Sequence, residues 1–163
     1  QRQMCIRDRA RRIYIATMYP FDMESKKRIS RHRNMRAGKG FETVERYTNL
    51  KELFLPSDSV VLLECMSNLV ANEMFQKDGS GNDAVKEILE GISEISKNVR
   101  HLVIVTNEIF SEAAFYEGET ETYRKYLGKI NRCLGEMADQ VYEVVYGIPL
   151  CVKGGSIDEE PLE

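Results

Sequence analysis

Apolar positions along the chain follow two alternating patterns, which predict strands and helices in turn. Short β-branched or continuous apolar runs predict strands at 12–18, 59–64, 102–106 and 141–146, with weaker candidates at 41–47 and 150–153. Helices are predicted over 22–33, which carries most of the basic residues, over 67–77, and over 83–98 and 120–138, where apolar residues recur at helical spacing. A loop with two glycines is expected over 34–40. This alternation favours an α/β fold with a mostly parallel sheet flanked by helices. The continuous runs at 59–64, 102–106 and 141–146 are expected to be buried on both faces.

Length and composition are those of a single globular domain. The 163 residues are 42% hydrophobic and 30% charged, which excludes wholesale disorder. No apolar run approaches the ~20 residues of a membrane-spanning helix, so no membrane span is expected. We expect an α/β domain over 10–153 and a polar, disordered tail over 154–163. Four cysteines without a CxxC pair argue against a zinc site or a disulfide scaffold and favour a reducing cytoplasm: Cys5, Cys65, Cys133 and Cys151.

Positive charge is concentrated in one segment. Seven basic residues and no acidic one lie between Lys26 and Lys39, although the formal net charge of the chain is −3. Such a patch indicates a polyanion site, and a solvated basic helix face is the alternative. Nucleotide phosphates and a nucleic-acid backbone are both candidates for the polyanion. Few aromatic residues interleave with the basic ones and the overall balance is acidic, which disfavours single-stranded and duplex nucleic acid.

Polar residues follow several predicted strands at their carboxyl ends, where open α/β sheets bind ligands. The segment 16–18 closes the first strand, Glu64 closes the run at 59–64, and Glu108 follows the run at 102–106. Glu64 after four apolar residues resembles a Walker B carboxylate, which holds Mg²⁺ directly or through water. A charged strand end that meets solvent is the alternative for both glutamates.

One of the two histidines, His32, lies between Arg31 and Arg33 in the basic segment. A neutral imidazole is a nucleophile toward phosphorus, and the arginines would stabilise charge on the phosphate oxygens. An ordinary exposed helix histidine is the alternative. The enzymatic interpretation requires the His32 ring to lie at the mouth of the sheet, near Glu64. The second histidine, His101, opens a predicted strand and is interpreted as structural.

Six segments in order resemble one known family over about residues 12–153. They are Tyr14-Ile-Ala-Thr17, Arg28 to Arg33, Phe41 to Glu45, Val61 to Cys65, Val105 to Glu108, and Asn131 to Val144. The resemblance is to the bifunctional adenosylcobinamide kinase / adenosylcobinamide-phosphate guanylyltransferases of cobalamin biosynthesis. It implies a P-loop NTPase, RecA-like fold and a homo-oligomer, a trimer. It also implies phosphorylation of adenosylcobinamide and GMP transfer from GTP through a GMP-histidine intermediate.

The resemblance further implies which residues form the site. His32 corresponds to the guanylylated, catalytic histidine of the family. GTP, ATP and Mg²⁺ are the implied cofactors, with Glu64 as the candidate Mg²⁺ ligand, and adenosylcobinamide is the implied corrinoid partner, with no nucleic acid. The implied nucleotide contacts are Ala16, Thr17, Met18, Arg33, Asn34, Met35, Arg36, Glu45 and Glu64.

The chain departs from the family pattern in two places. Many members carry a glycine-rich stretch ending in Val-Pro where this chain has residues 109–116, so corrinoid contacts there cannot be carried over. The phosphate-loop pattern, GxxxxGK followed by Ser or Thr, occurs nowhere in the sequence, and the family's first strand is not found. We therefore interpret residues 1–9 as a non-native lead-in joined to an N-terminally truncated domain.

A truncated domain should bind GTP weakly, turn over poorly or not at all, and expose an unpaired sheet edge. Tight, Mg²⁺-dependent GTP binding in a calorimetric titration would contradict that expectation. Two other functions stay open at this point: another P-loop nucleotide-dependent kinase, and a basic-helix module that binds nucleic acid. Acceptor choice distinguishes the first, and a salt-dependent shift with RNA or DNA without nucleotide hydrolysis distinguishes the second.

Overall fold

A computed structural model describes residues 10–110 and 117–155. The predicted lead-in over 1–9, residues 111–116 and residues 156–163 of the predicted tail lie outside the described residues. The described ranges contain two short 3-10 helices, Leu50–Glu52 and Gly81–Asp83. The strands are β1 (Arg12–Ala16), β2 (Phe41–Glu45), β3 (Val60–Leu63), β4 (His101–Ile104), β5 (Val141–Val145) and β6 (Ile148–Lys153). The α-helices are α1 (Met23–Arg36), α2 (Met66–Phe75), α3 (Ala84–Asn98) and α4 (Glu119–Met137).

Four parallel strands form the main sheet, in the order β2-β1-β3-β4. The register pairs Ile13 with Val61 and Ile15 with Leu63, so their side chains lie on one face of the sheet. Apolar residues of α2, α3 and α4 pack with these four in a single buried cluster. This arrangement confirms the prediction of an α/β fold with a mostly parallel sheet and helices packed against it.

Helix α1 extends three residues beyond its predicted end. Asn34, Met35 and Arg36, predicted as loop, complete its last turn. The difference has a simple cause, because Met and Arg are good helix formers and no helix breaker precedes the glycines. The loop begins after Arg36, where Gly38 and Gly40 adopt φ values of +82° and +72° that favour glycine.

Helix α1 begins at a capping box. The Asp22 carboxylate accepts a hydrogen bond from the Ser25 N–H at 2.7 Å, and the Ser25 hydroxyl accepts one from the Asp22 N–H at 2.9 Å. The helix contributes no buried residue to the protein. Its local structure is therefore fixed by its cap rather than by core packing.

No helix in the described ranges is long and apolar enough to cross a membrane.

Strands β5 and β6 form a separate antiparallel hairpin, so the predicted burial of the run at 141–146 is wrong. Val144 is 67% exposed, and the hairpin turns through Tyr146 and Gly147, which both have positive φ. The predicted burial of the run at 102–106 is also wrong in part, because Val103 is 51% exposed. β4 lies at one edge of the described sheet, and its continuous apolar run reflects strand propensity rather than two covered faces.

Candidate functional site

Three neighbouring strands end together and form the floor of the candidate site. Ala16, at the end of β1, pairs in register with Glu45 at the end of β2. On the other side of β1, the backbone N–H of Glu64 donates to the carbonyl of Ile15 at 3.1 Å. Glu45 and Glu64 therefore flank Ala16 at the carboxyl edge of the parallel sheet.

Helix α1 presents one face to this edge. Ile29, His32, Arg33 and Arg36 are spaced by three or four residues and so share a side of the helix. With the strand ends and Met18 they enclose a pocket that combines one histidine, two arginines and two carboxylates. The lining residues are Ala16, Met18, Ile29, His32, Arg33, Arg36, Glu45 and Glu64.

His32 and Glu64 are in direct contact. The Nδ1 atom of His32 lies 2.9 Å from Oε1 of Glu64. The glutamate side chain is 9% exposed, whereas the histidine side chain is 41% exposed. The carboxylate is thus held at the base of the site while part of the imidazole remains open to the pocket.

Arg36 lies across the ring of Tyr14, with its guanidinium carbon 3.8 Å from the ring centroid. The Nε atom of Arg36 is buried and has no hydrogen-bond partner among the described residues. Tyr14 itself is buried. Burial, and next the negative charge of Glu64, raise the pKa of Tyr14 to about 12 against the opposing charge of Arg36. Tyr14 therefore stays protonated beneath the pocket at neutral pH, and Arg36 retains one unused donor.

Arg33 forms an ion pair with Glu45 across the pocket mouth. The second oxygen of Glu45 accepts a hydrogen bond from the Tyr47 hydroxyl at 2.9 Å. Tyr47 also contacts the ring of Tyr19 edge-on, with centroids 5.1 Å apart. Arg33 and Glu45 neutralise each other in this structure, so Arg36 and Glu64 carry the remaining opposite charges of the pocket.

Three residues predicted as nucleotide contacts do not line the pocket. Thr17 is fully buried, and its hydroxyl donates to the carbonyl of Cys65 at 2.9 Å, which ties the end of β1 to the end of β3. Asn34 and Met35 are exposed on α1. They follow His32 by two and three residues, and the turn of the helix directs them away from the sheet.

Sequence reasoning missed two residues of the site. Ile29 lies one turn before His32 and Arg33, and its helical spacing from them was a signal that could have identified it. Tyr14 lies on the strand beneath the pocket, and nothing in its sequence context indicated the contact with Arg36. That contact depends on where the helix crosses the sheet.

The described residues do not build a metal site of their own. No three His, Cys, Asp or Glu side chains in that part of the chain are clustered so that they could hold a metal ion. One oxygen of Glu64 is already engaged by His32. Mg²⁺ binding by Glu64 stays a prediction, and no step proposed below runs through a metal ion.

Fold and site together define an α/β protein whose candidate ligand site lies at the carboxyl edge of a parallel sheet, under a cationic helix that carries a histidine. The chain belongs to the CobU family, described as cobinamide kinase / cobinamide phosphate guanyltransferase, which it matches over residues 2–152. This membership confirms the family resemblance found in the sequence.

Two relatives have the name bifunctional adenosylcobalamin biosynthesis protein CobU. The protein from Escherichia coli (strain K12) is 31% identical, and the alignment covers 91% of this chain and 89% of that relative. The protein from Salmonella typhimurium (strain LT2) is 28% identical, and the alignment covers 86% of this chain and 85% of that relative. The similarity therefore extends over most of both relatives.

Proposed function

We propose that this chain is a nucleotidyltransferase of cobalamin biosynthesis. In the proposed reaction, His32 attacks the α-phosphorus of GTP, pyrophosphate leaves, and the histidine carries GMP until adenosylcobinamide phosphate accepts it. Phosphorylation of adenosylcobinamide with ATP precedes this transfer. The description of the family as cobinamide kinase / cobinamide phosphate guanyltransferase supports the corrinoid substrate and both reaction types. The names of the two relatives support a role in adenosylcobalamin biosynthesis.

The observation that carries the proposal is the position of His32. Its ring is part of the pocket at the carboxyl edge of the sheet and contacts Glu64 there. This contact distinguishes His32 from a helix histidine that points into solvent. Because only Nδ1 is engaged by Glu64, the second ring nitrogen is available for bond formation to phosphorus.

The charges around His32 suit a phosphate ligand. The buried Nε of Arg36, without a partner in the described part of the chain, is a donor that an anionic oxygen would satisfy. Arg33 would add a second cation if the ligand displaced it from Glu45. In the proposed reaction these two arginines stabilise charge that develops on the phosphate oxygens.

Covalent labelling tests the proposal. When the protein is incubated with GTP labelled at the α-phosphate, it should acquire an acid-labile label that peptide mapping places on His32. GTP labelled at the γ-phosphate should leave no label. We expect repeated turnover to be impaired in this chain, which lacks the phosphate-loop pattern. Formation of the GMP-histidine bond requires only one reaction cycle, so the assay detects it even when turnover is slow.

Replacing each histidine in turn distinguishes labelling of His32 from labelling elsewhere in the protein. His32→Ala should abolish the label, because the nucleophile is removed. His101→Ala is the matched control, since His101 is the other histidine of the sequence and is exposed at the start of β4. Acid-labile label that survives in the His32→Ala variant would show that the assignment is wrong.

A further inference from the structure

We propose that Glu64 is a positioning residue for His32: it fixes the imidazole in the tautomer that leaves Nε2 free and stabilises the positive charge of the ring after attack. The inference rests on the proposed function, because it assigns Glu64 a role in the guanylylation of His32. It gives the strand-end carboxylate a task that differs from metal binding.

The contact between the two side chains dictates the tautomer. Oε1 of Glu64 lies 2.9 Å from Nδ1 of His32. A carboxylate only accepts hydrogen bonds, so the proton of the neutral imidazole must be on Nδ1. The lone pair is then on Nε2, at the opposite side of the ring. A histidine that carried its proton on Nε2 could not use that nitrogen as a nucleophile.

The same contact supports both halves of the transfer. Nε2 donates its electron pair to the α-phosphorus, and the bond from that phosphorus to the bridging oxygen breaks, so that pyrophosphate leaves with the bonding electrons. The ring keeps its Nδ1 proton and becomes cationic, which places positive charge beside the Glu64 carboxylate. When an oxygen of the corrinoid phosphate attacks the phosphorus, the N–P electrons return to Nε2. The ring is again neutral, and its proton has never left Nδ1.

Glu64 is better anchored than the histidine that it positions. Its backbone N–H donates to Ile15 in the sheet, and its side chain is 9% exposed. Tyr14 beneath it is buried in the same strand layer. Helix α1 has no buried residue, so core packing does not set the orientation of the His32 ring. The carboxylate is therefore the fixed reference and the imidazole is the group that it orients.

Two substitutions separate the hydrogen bond from the charge. Glu64→Gln keeps an acceptor oxygen but removes the charge, whereas Glu64→Leu removes both at similar size. Long-range ¹H–¹⁵N correlation spectra of His32 report the tautomer directly, and single-turnover labelling from α-labelled GTP reports the rate. Glu42→Gln is the matched control, because Glu42 is a glutamate in β2 of the same sheet and does not line the pocket.

The expected results differ for each variant. Wild type and Glu64→Gln should show the Nδ1–H tautomer, with labelling about tenfold or more slower in Glu64→Gln. Glu64→Leu should shift His32 toward the Nε2–H tautomer and slow labelling by about 100-fold or more. Glu42→Gln should match wild type in spectrum and rate. Thermal unfolding checks that each variant is folded.

A wild-type spectrum of His32 in Glu64→Leu would overturn the tautomer assignment, and a wild-type rate in Glu64→Gln would overturn the role of the charge. If the wild-type protein acquires no label at all, the proposed function fails, and the spectra alone decide whether Glu64 positions the ring. If Glu64→Leu does not fold, Glu64→Asp takes its place, because a carboxylate one methylene shorter should lose the contact with Nδ1.

Discussion

At the scale of single residues, the site depends on a contact between positions 32 residues apart in the chain, His32 and Glu64. Each was ambiguous in the sequence, where a helix histidine and a strand-end carboxylate are both common. Their contact requires α1 to cross the carboxyl edge at one particular place. The contact between the Arg36 guanidinium and the Tyr14 ring depends on the same position of α1 over the sheet.

The titration of Tyr14 leads to a prediction about alkaline stability. Its pKa is raised to about 12 in the folded protein, above the ordinary value of 10.0. A raised pKa means that the unfolded chain releases this proton first, so the stabilisation is complete below pH 10 and is lost as pH rises toward 12. The free energy of unfolding of the wild type should therefore fall across that window, by up to about 2–3 kcal/mol from this residue.

Urea unfolding at a series of pH values measures the effect. Tyr14→Phe keeps the ring under Arg36 but removes the ionisable hydroxyl, so its stability should fall less steeply between pH 10 and 12. Tyr146→Phe is the control, because Tyr146 is fully exposed and its variant should follow the wild type. Identical slopes for wild type and Tyr14→Phe would count against the coupling of Tyr14 to its buried surroundings.

The sequence indicated which residues the structure brings together where a side chain's chemistry and its helix or strand position were both clear. His32, Arg33 and Arg36 share a helix face with period near 3.6, and Glu64 follows an apolar run, so their grouping in one pocket has a cause in the sequence. Asn34 and Met35 were included because the family resemblance implied them as nucleotide contacts. Once α1 continues to Arg36, its geometry turns both away from the sheet.

At the scale of elements, the helices that build the core were easier to predict than the surroundings of the strands. The apolar stripe of α3 identifies both its range and its buried face, since spacing alone determines that face. The apolar runs of β4 and β5 identified strands but not their neighbours. Pairing partners are set by topology, which a local pattern of residues does not contain.

Close packing of α3 on the 3-10 helix Leu50–Glu52 gives a stability prediction. A Cβ atom at Gly91 would lie 2.7 Å from the Cβ of Leu50 and 3.2 Å from the backbone nitrogen of Lys51. Gly91→Ala should therefore lower the free energy of unfolding by about 1–3 kcal/mol through overpacking, although alanine is the better helix former.

Gly135 in α4 provides the matched control, because a Cβ there meets nothing within 4 Å. Gly135→Ala should be neutral or should stabilise the protein by up to about 1 kcal/mol. Equilibrium unfolding in urea measures both variants. If the two variants have the same free energy of unfolding, the 3-10 helix can move aside at little cost and does not fix the position of α3.

At the scale of the whole molecule, apolar side chains remain exposed on the β5–β6 hairpin. Val144 is 67%, Ile148 is 62% and Val152 is 65% exposed. Ile148 and Val152 lie on one face of β6, because alternate residues of a strand share a face, and exposed apolar surface of this kind is typical of association sites. We predict that the protein is a homo-oligomer in solution, with a trimer as the expected state from its family resemblance.

Sedimentation velocity tests this prediction against the chain mass of 18.8 kDa. The wild type should sediment as a species of about three chain masses, and Ile148→Lys should shift it toward the monomer because a charge would be placed in the contact. Phe54→Lys is the control, since Phe54 is 94% exposed outside the hairpin. A monomeric wild type at micromolar concentration would contradict the prediction.

Helix α1 carries the proposed nucleophile, His32, and yet contributes no buried residue to the hydrophobic core. Polar contacts with Glu64, Glu45 and Tyr14 hold it against the sheet, and one guanidinium nitrogen there still lacks an acceptor. A triphosphate that bound Arg36 would stabilise the position of α1, which core packing does not stabilise. Nucleotide binding and the ordering of α1 would then be coupled, so that the substrate would stabilise the helix that carries the residue that reacts with it.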